Sequence, residues 1–179
     1  GHAITLENVL RVERVYQFGK DVLSYQCSGT PADCVKIAID KIIKKKPDLC
    51  VSGINHGSNS SINVIYSGTM SAAMEASIDG IPAVGFSLLD YSFEADFTGA
   101  QHFARLIIKQ LLENGLPSGC LLNVNFPKLS AEEIKGMRIC RQAMANWEEE
   151  YDERIDPRGG KYYWLTGKFV NHDKGEDTD

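Results

Sequence analysis

The chain has 179 residues, of which 43% are hydrophobic and 24% are charged, and its formal net charge is -5. That length and apolar content suit one sizeable domain with its own core, together with a small appendage. The acidic balance argues against a surface for nucleic-acid polymers or anionic membranes, because no basic excess is present to neutralise their phosphates. A small phosphorylated ligand stays possible, because local dipoles and a metal ion bind phosphate whatever the net charge.

Cysteine usage and hydropathy bear on the compartment in which the protein works. The five cysteines are widely spaced and form no C-x-x-C pair, so we expect reduced thiols packed as small hydrophobes rather than disulfides, zinc ligands or a nucleophile. No apolar run approaches transmembrane length and no signal peptide is visible. These features predict a cytoplasmic protein without a membrane partner. Because the first residue is Gly1 and not methionine, we expect the sequence to begin within a longer protein.

The first part of the chain predicts a β-rich stretch followed by a helix. Short alternating runs over residues 3–26 indicate a meander or a hairpin. Thr30, Pro31 and Asp33 form a helix start, with a hydroxyl N-cap, a proline at the first helical position and an acid at the third. An apolar face with a 3.6-residue period follows, as far as the three lysines at 44–46, which suit a helix C-terminus.

The most informative stretch begins with the short apolar strand predicted over 47–52. Gly53 and Gly57 allow positive φ angles and a close approach of the backbone to a ligand. Asn55 and Asn59 can offer amide oxygens to a metal ion or amide N–H groups to a phosphate. A turn stabilised by the asparagine side chains explains the same residues equally well. The pattern alone leaves both interpretations open.

A helix that begins at Ser67-Gly68-Thr69 forms the second half of this candidate site. The segment through Ser77 is rich in small residues, which let a helix pack tightly against a sheet. Its first backbone N–H groups have no intrahelical acceptor and are able to face a phosphate. The serine and the threonine also suit an ordinary helix cap, but a cap needs only one of them. These residues therefore favour an anion site.

Alternating strands and helices continue along the middle of the chain. Strands are predicted over 81–89 and 120–126, and an amphipathic helix over 97–114 connects them. The βαβαβ order from residue 30 to 127 implies a parallel sheet with right-handed crossovers. We therefore predict an α/β fold with a three-layer α/β/α, Rossmann-like, mostly parallel sheet and a C-terminal β-hairpin extension.

The composition changes after Pro127, and we divide the chain into a core at 1–136 and a C-terminal part at 137–179. In the second part we expect a strand at Met137–Cys140, a charged loop at 146–161, and a hairpin at 161–170 with its turn at Thr166-Gly167. The tail from Asn171 to Asp179 is expected to be disordered or truncated. The aromatic hairpin suits an arm for subunit contacts or a lid, and an ordinary edge hairpin explains it equally well.

Four motifs in fixed order resemble the SurE family: Ser52-Gly53-Ile54-Asn55-x-Gly57-x-Asn59, Ile65-Tyr66-Ser67-Gly68-Thr69, Ala72-Ala73-Met74-Glu75 and Gly80-Ile81-Pro82-Ala83. Further matches support them: Gly1-His2-Ala3-Ile4-Thr5, Gly29-Thr30-Pro31-Ala32-Asp33-Cys34, Asn123-Val124-Asn125-Phe126-Pro127 and Asp156-Pro157-Arg158-Gly159. The resemblance covers nearly the whole chain.

SurE proteins are metal-dependent nucleotidases, so the resemblance implies a phosphomonoesterase that hydrolyses nucleoside 5′- and 3′-monophosphates to nucleoside and phosphate. It implies one divalent cation, Mg²⁺ or Mn²⁺, held by two aspartates, a serine and Asn55. Asn59 and the Ser67-Gly68-Thr69 turn would hold the phosphate from the opposite side. The Asp-Asp-Gly motif of the family is not in this sequence. We therefore expect the catalytic aspartates before Gly1, and expect these 179 residues alone to be inactive.

The resemblance also implies a homodimer or homotetramer with exchanged C-terminal elements, and the 161–170 hairpin is the predicted oligomerisation arm. An alternative from a different class is a non-catalytic nucleotide- or phosphate-binding module that keeps the 53–69 cradle and has lost the catalytic aspartates. A dinucleotide-binding fold is disfavoured, because no G-x-G-x-x-G motif follows a strand.

Overall fold

The computed structural model describes residues 2–19 and 21–179, so Gly1 and Lys20 of the predicted 1–136 domain lie outside the described residues. The chain divides into two compact units. The first contains the described residues up to Asn59 together with Asn63–Lys135, and the second contains Ser60–Ile62 and Gly136–Asp179. The first unit is an α/β structure and the second is built on a β-hairpin.

The first unit contains a small antiparallel pair, β1 with β2, and a parallel sheet in the order β3-β4-β5. Its elements in chain order are β1 (Val12–Val15), β2 (Ser24–Cys27), α1 (Pro31–Ile37), β3 (Cys50–His56), α2 (Asn63–Tyr66), α3 (Gly68–Ile78), β4 (Ala83–Leu88), α4 (Thr98–Asn114) and β5 (Leu121–Phe126). A π-helical segment at Ala38–Ile43 continues α1. The α/β fold class and the parallel sheet predicted from the sequence are confirmed.

Strand β4 lies at the centre of the sheet, and all six of its residues are buried. Val84, Phe86 and Leu88 pack with α4 on one face, whereas Ala83 packs with α3 on the other. Gly85 lies on the α3 face, where an added Cβ would be only 2.5 Å from Met70 Sδ. Burial of a side chain such as Phe86 stabilises the fold by roughly 1.5–3 kcal/mol. The alternation along β4 therefore produces the three layers.

Helix α1 begins at the capping box that the sequence predicts. Asp33 N donates to Thr30 Oγ1 at 3.2 Å, and Thr30 N donates to Asp33 Oδ2 at 2.8 Å. Asp33 is 3% exposed and also accepts from Thr5 Oγ1 at 2.6 Å and Thr5 N at 3.0 Å. The Thr5 hydrogen bonds are the main cause that lowers the pKa of Asp33 to about 2. One carboxylate thus caps the helix and holds the preceding segment.

A buried carboxylate on α3 anchors the neighbouring elements. Glu75 is 5% exposed, and it lies 2.5 Å from Lys36 Nζ on α1 and 2.7 Å from His2 Nε2. The Lys36 ammonium is the largest influence that lowers the pKa of Glu75. Two partners on one carboxylate offset the cost of burying its charge.

The predicted bounds of the first sheet strand are wrong. The strand is Cys50–His56 rather than 47–52, so Gly53 and Asn55 belong to β3 and not to a loop. Pairing with β4 extends to His56 across an irregularity between Ser52 and Asn55. Gly53 has φ +112°, and an added Cβ would collide with the carbonyl oxygen of Phe86. The glycine permits the irregularity, and the strand continues beyond it.

The predicted C-terminal hairpin is also wrong in its pairing. Residues Lys161–Asn171 form one strand, β7, whose antiparallel partner is β6 (Ala145–Ile155), the segment predicted as a charged loop. The turn lies between them, where Asp156 Oδ1 accepts from Arg158 N at 2.7 Å and from Gly160 N at 2.9 Å. The charge of β6 is tolerated because both strands are exposed and cross-strand pairs such as Glu153–Lys161, at 2.8 Å, form.

Two further expectations for the second unit fail. Met137–Cys140 is irregular rather than a strand. The tail from Asn171 is ordered, because Arg141 binds Asp173 at 2.5 Å and Asp177 at 3.0 Å. Asp179 also accepts from Ser61 N at 2.9 Å and from Ala143 N at 2.8 Å. Arg141, which lies 32 positions before Asp173, therefore holds the acidic tail.

The cysteines are less buried than the sequence predicts. All five are free thiols, of which Cys27, Cys34 and Cys50 are half-buried and Cys120 and Cys140 are exposed. Within residues 2–19 and 21–179, no helix combines the length and the apolarity that a membrane crossing requires.

We predict that Asp33→Asn lowers the free energy of unfolding at pH 7 by about 1–2 kcal/mol, because the helix cap and the hold on Thr5 are weakened. The pKa of Asp33 is depressed in the fold, so its contribution is present above the ordinary value of 3.8 and is lost as the pH falls towards about 2. Urea unfolding of both proteins between pH 7 and 2 should show the difference shrinking below pH 4.

The matched control is Asp40→Asn, because Asp40 is exposed and pairs with the adjacent Lys41. Its change in unfolding free energy should stay within about 0.5 kcal/mol. A wild type and an Asp33→Asn protein of equal stability at pH 7 would contradict the role assigned to the carboxylate.

Candidate functional site

The carboxyl ends of the three parallel strands lie at one edge of the sheet, which is where α/β proteins bind ligands. These strands end at His56, Leu88 and Phe126. Close to this edge, Asn55 pairs with Ser87 and Ser87 pairs with Asn125. Three adjacent strands thus present a row of uncharged polar residues.

Asn55 is half-buried near the end of β3, and its side-chain orientation is fixed. Its Nδ2 donates to the carbonyl oxygens of His56 at 2.8 Å and Gly57 at 3.2 Å. In the part of the chain that the structure describes, no hydrogen bond to Asn55 Oδ1 is found. An amide oxygen held in one direction is suited to a hard divalent cation.

The carboxylates that such a cation also needs are not gathered in this part of the molecule. Residues 2–19 and 21–179 contain no group of three or more histidines, cysteines and acids able to hold a metal ion. Asp90 is a buried carboxylate that follows β4, but it accepts from Ser92 N at 3.0 Å and pairs with Lys128 at 3.0 Å. These contacts, with the Ser92 hydrogen bond first, lower the pKa of Asp90. The predicted role of Asn55 as a metal ligand therefore stays a prediction.

Asn59 is 4% exposed, and hydrogen bonds hold both its backbone and its side chain. Its N donates to Asn125 Oδ1 at 2.9 Å, and its carbonyl oxygen accepts from Asn123 Nδ2 at 2.9 Å. Its own Nδ2 donates to Ser87 Oγ. Asn59 is thus fixed beside the carboxyl edge of the sheet, and its predicted phosphate contact stays a prediction.

Ser87, Asn123 and Asn125 are the site residues that the sequence analysis does not select. Asn125 Nδ2 donates to Asn123 Oδ1 at 3.2 Å, and Ser58 Oγ donates to Asn125 Oδ1 at 3.4 Å. The available signal is the strand Leu-Leu-Asn-Val-Asn-Phe, in which two asparagines lie two positions apart in a strand that is otherwise apolar. That spacing places both amides on one face.

The start of α3 follows the prediction from the sequence. Ser67 is the N-cap, and its Oγ accepts from Met70 N at 3.0 Å. The N–H groups of Gly68 and Thr69 come first in the helix and therefore have no intrahelical acceptor. A Cβ added to Gly85 would lie 3.5 Å from Thr69 Cγ2, so the helix start packs over β4.

The structure places Asn59 and the α3 start on the same face of β4, because Ser87 and Gly85 are two residues apart on that strand. Among the described residues, no hydrogen bond joins Asn59 to Ser67, Gly68 or Thr69. Asn55 shares the strand-end row with Ser87. The half-buried amide of Asn55, the buried amide of Asn59 and the N-terminus of α3 therefore lie at one edge of the sheet.

We predict that Ser87→Ala lowers the free energy of unfolding by about 1–3 kcal/mol, because Asn59 Nδ2 loses its buried acceptor. Ser77→Ala, on the half-buried end of α3, is the matched control and should change stability by less than about 0.5 kcal/mol. Urea unfolding at neutral pH measures both. Equal stability of Ser87→Ala and wild type would show that the Asn59 hydrogen bond adds nothing.

Comparison with known proteins identifies close relatives. The profile of the family described as "Survival protein SurE" matches residues 1–149. The chain is 64% identical over 180 residues to "5′-nucleotidase SurE" of Christiangramia forsetii, covering 100% of this chain and 69% of that protein. It is 61% identical over 179 residues to "5′-nucleotidase SurE" of Flavobacterium psychrophilum, covering 100% of this chain and 70% of that protein.

A solved structure is similar over the whole chain as well. "Crystal Structure of Sure Protein from Aquifex aeolicus" matches with a TM-score of 0.81 and 38% sequence identity, covering 100% of this chain and 71% of that chain.

Proposed function

This chain belongs to the SurE family, and we propose that it acts as a nucleotidase that hydrolyses nucleoside 5′- and 3′-monophosphates to nucleoside and phosphate. The observation that carries the proposal is that relatives matching along the whole chain are named 5′-nucleotidase SurE. Those names also favour an enzyme over the non-catalytic binding module. The uncharged polar edge of the sheet supports a phosphate site in the same place.

The proposed phosphate seat consists of Asn59 and the Ser67-Gly68-Thr69 turn. The N–H groups of Gly68 and Thr69 are the first donors of α3, where the helix dipole favours a negative charge. Asn59 Nδ2 carries two hydrogens, of which one is donated to Ser87. The second is the donor that we assign to a phosphate oxygen.

The proposed cofactor is one divalent ion, Mg²⁺ or Mn²⁺, with Asn55 Oδ1 as one of its ligands. When bound, such an ion polarises the phosphoryl group as a Lewis acid. Asn55 is suited to this position because its Nδ2 is held by His56 and Gly57, which leaves its oxygen directed away from them. The resemblance implies that the remaining ligands are two aspartates and a serine, and that the nucleophile or its activator is an acidic residue.

We also propose that the protein forms a homodimer or homotetramer through the β6–β7 hairpin. A two-stranded hairpin alone is marginally stable in water, and nearly every residue of both strands is exposed. Large side chains on it are exposed, including Tyr151 at 68% and Leu165 at 64%, which face each other across the strands. A second copy would bury these side chains.

The free thiols are consistent with the proposed cytoplasmic location.

We predict that, in the full-length protein, Asn55→Ala lowers phosphate release from AMP at least about tenfold, because the metal ion loses a ligand. Chelation with EDTA should abolish release, and added Mg²⁺ or Mn²⁺ should restore it. Asn114→Ala, at the exposed end of α4, is the matched control and should retain wild-type release. Undiminished release by a folded Asn55→Ala protein would remove the role given to Asn55. Full-length wild-type protein that releases no phosphate from any nucleotide would overturn the nucleotidase proposal.

The oligomer is tested separately by Leu165→Glu, which places a charge on the exposed apolar face of the hairpin. We expect sedimentation velocity to show a shift to the monomer, because a buried unpaired charge is costly at an interface. Lys174→Glu, in the tail of the same unit, should leave the oligomer unchanged. A wild-type monomer, or an unaltered Leu165→Glu oligomer, would contradict the proposed arm.

A further inference from the structure

We propose that Asn123 and Asn125 of β5 are positioning residues that hold Asn59 in the orientation in which it binds phosphate. We call these two residues the amide clamp. The inference rests on the proposed phosphate role of Asn59 and adds two residues to that site. Neither is expected to touch the substrate.

The amide clamp and the Asn59 backbone form a closed circuit of hydrogen bonds. Asn59 N donates to Asn125 Oδ1 at 2.9 Å, and Asn125 Nδ2 donates to Asn123 Oδ1 at 3.2 Å. Asn123 Nδ2 then donates to the Asn59 carbonyl oxygen at 2.9 Å. Both backbone polar groups of Asn59 are therefore satisfied by the side chains of one strand.

Each of the two side chains must donate one hydrogen bond and accept another, which an amide can do. A backbone N–H can only donate, so the Asn125 oxygen must face Asn59 and its Nδ2 must face Asn123. The Asn59 carbonyl oxygen can only accept, so Asn123 must turn its Nδ2 towards it. An aspartate at position 125 could still accept from Asn59 N but would set a carboxylate oxygen against Asn123 Oδ1. A flip of Asn123 would only move that conflict to the Asn59 carbonyl oxygen.

The clamp is built on a rigid element and acts on a segment without regular structure. β5 is paired with β4 along all six residues, whereas Asn59 lies after the end of β3 and has no strand partner. A parallel strand is usually apolar, so two half-buried amides on one face of β5 need a compensating interaction. Holding the Asn59 peptide provides it, and the Asn59 side chain is then directed at Ser87.

The test compares Asn125→Asp and Asn123→Ala with the matched control Asn114→Asp, which makes the same change at an exposed asparagine of α4. Two readouts are measured on the purified protein well below its thermal midpoint. The first is hydrogen exchange of the Asn59 amide by NMR, and the second is the dissociation constant for inorganic phosphate. Circular dichroism verifies that each variant is folded.

We expect the Asn59 amide to exchange at least about tenfold faster in both clamp variants, and phosphate to bind about tenfold more weakly. Because the hydrogen bonds form one circuit, the double variant Asn123→Ala/Asn125→Ala should bind phosphate within about twofold of Asn123→Ala. The control should match wild type in both readouts. A purely structural role would instead lower the thermal midpoint and leave the phosphate dissociation constant unchanged.

Unchanged phosphate binding in a folded Asn125→Asp protein would overturn the inference while leaving the nucleotidase proposal intact. If Asn125→Asp does not fold, Asn123→Ala decides, because it removes one link without adding a charge. Wild-type protein that neither binds phosphate nor hydrolyses a nucleotide would overturn the proposed function and, with it, the purpose of the clamp. In that case the exchange rate of the Asn59 amide still reports whether the circuit exists.

Discussion

Strand β4 is paired along both edges, with β3 and with β5, and this pairing determines where every polar group of the candidate site lies. Its even-numbered residues pack against α4, and its odd-numbered residues face α3. Gly85 lets the start of α3 approach the strand, and two residues later Ser87 accepts from Asn59. The same alternation that buries Phe86 therefore positions a serine beside the predicted phosphate residues.

The side-chain amides gathered at this edge are uncharged, and the nearby carboxylate Asp90 is paired with Lys128. The side chains of Asn55, Asn123 and Asn125 each make at least one hydrogen bond to a backbone group. Asn59 Nδ2 donates instead to Ser87 Oγ. Uncharged groups are less costly to bury than unpaired ions, and they do not repel an anionic substrate. The buried carboxylates of the first unit are engaged instead in structural contacts, as Glu75 is with Lys36 and Asp33 is with Thr5. This division separates charges that stabilise the fold from dipoles that line the site.

Local patterns were sufficient to predict the α/β class, the Thr30 capping box and the start of α3, because each depends on residues within a few positions of one another. The β6–β7 pairing could not be predicted in this way, because the strand partner of 161–171 is a run of glutamates with no apolar alternation. The ordered tail depends on Arg141, about thirty residues earlier. The role of Asn125 depends on Asn59, which lies 66 positions away. These contacts are polar and join residues that are separated in sequence. A pattern of hydrophobic residues therefore does not predict them.

The alternation of polar and apolar side chains along β4 affects which strand register forms during folding. A one-residue shift in the register between β4 and its neighbours would place the Phe86 side chain on the face with the asparagine amides. It would place the Ser87 side chain in the apolar layer beside α4. Both changes oppose burial, so the misaligned sheet is strongly disfavoured. A slip of two residues would preserve the apolar faces but replace Ser87 with Gly85, leaving Asn59 Nδ2 without its acceptor. Hydrophobic burial alone would stabilise the native register and this shifted register to a similar degree. The hydrogen bond from Asn59 to Ser87 forms in only one of them, so it helps to fix the register of the sheet.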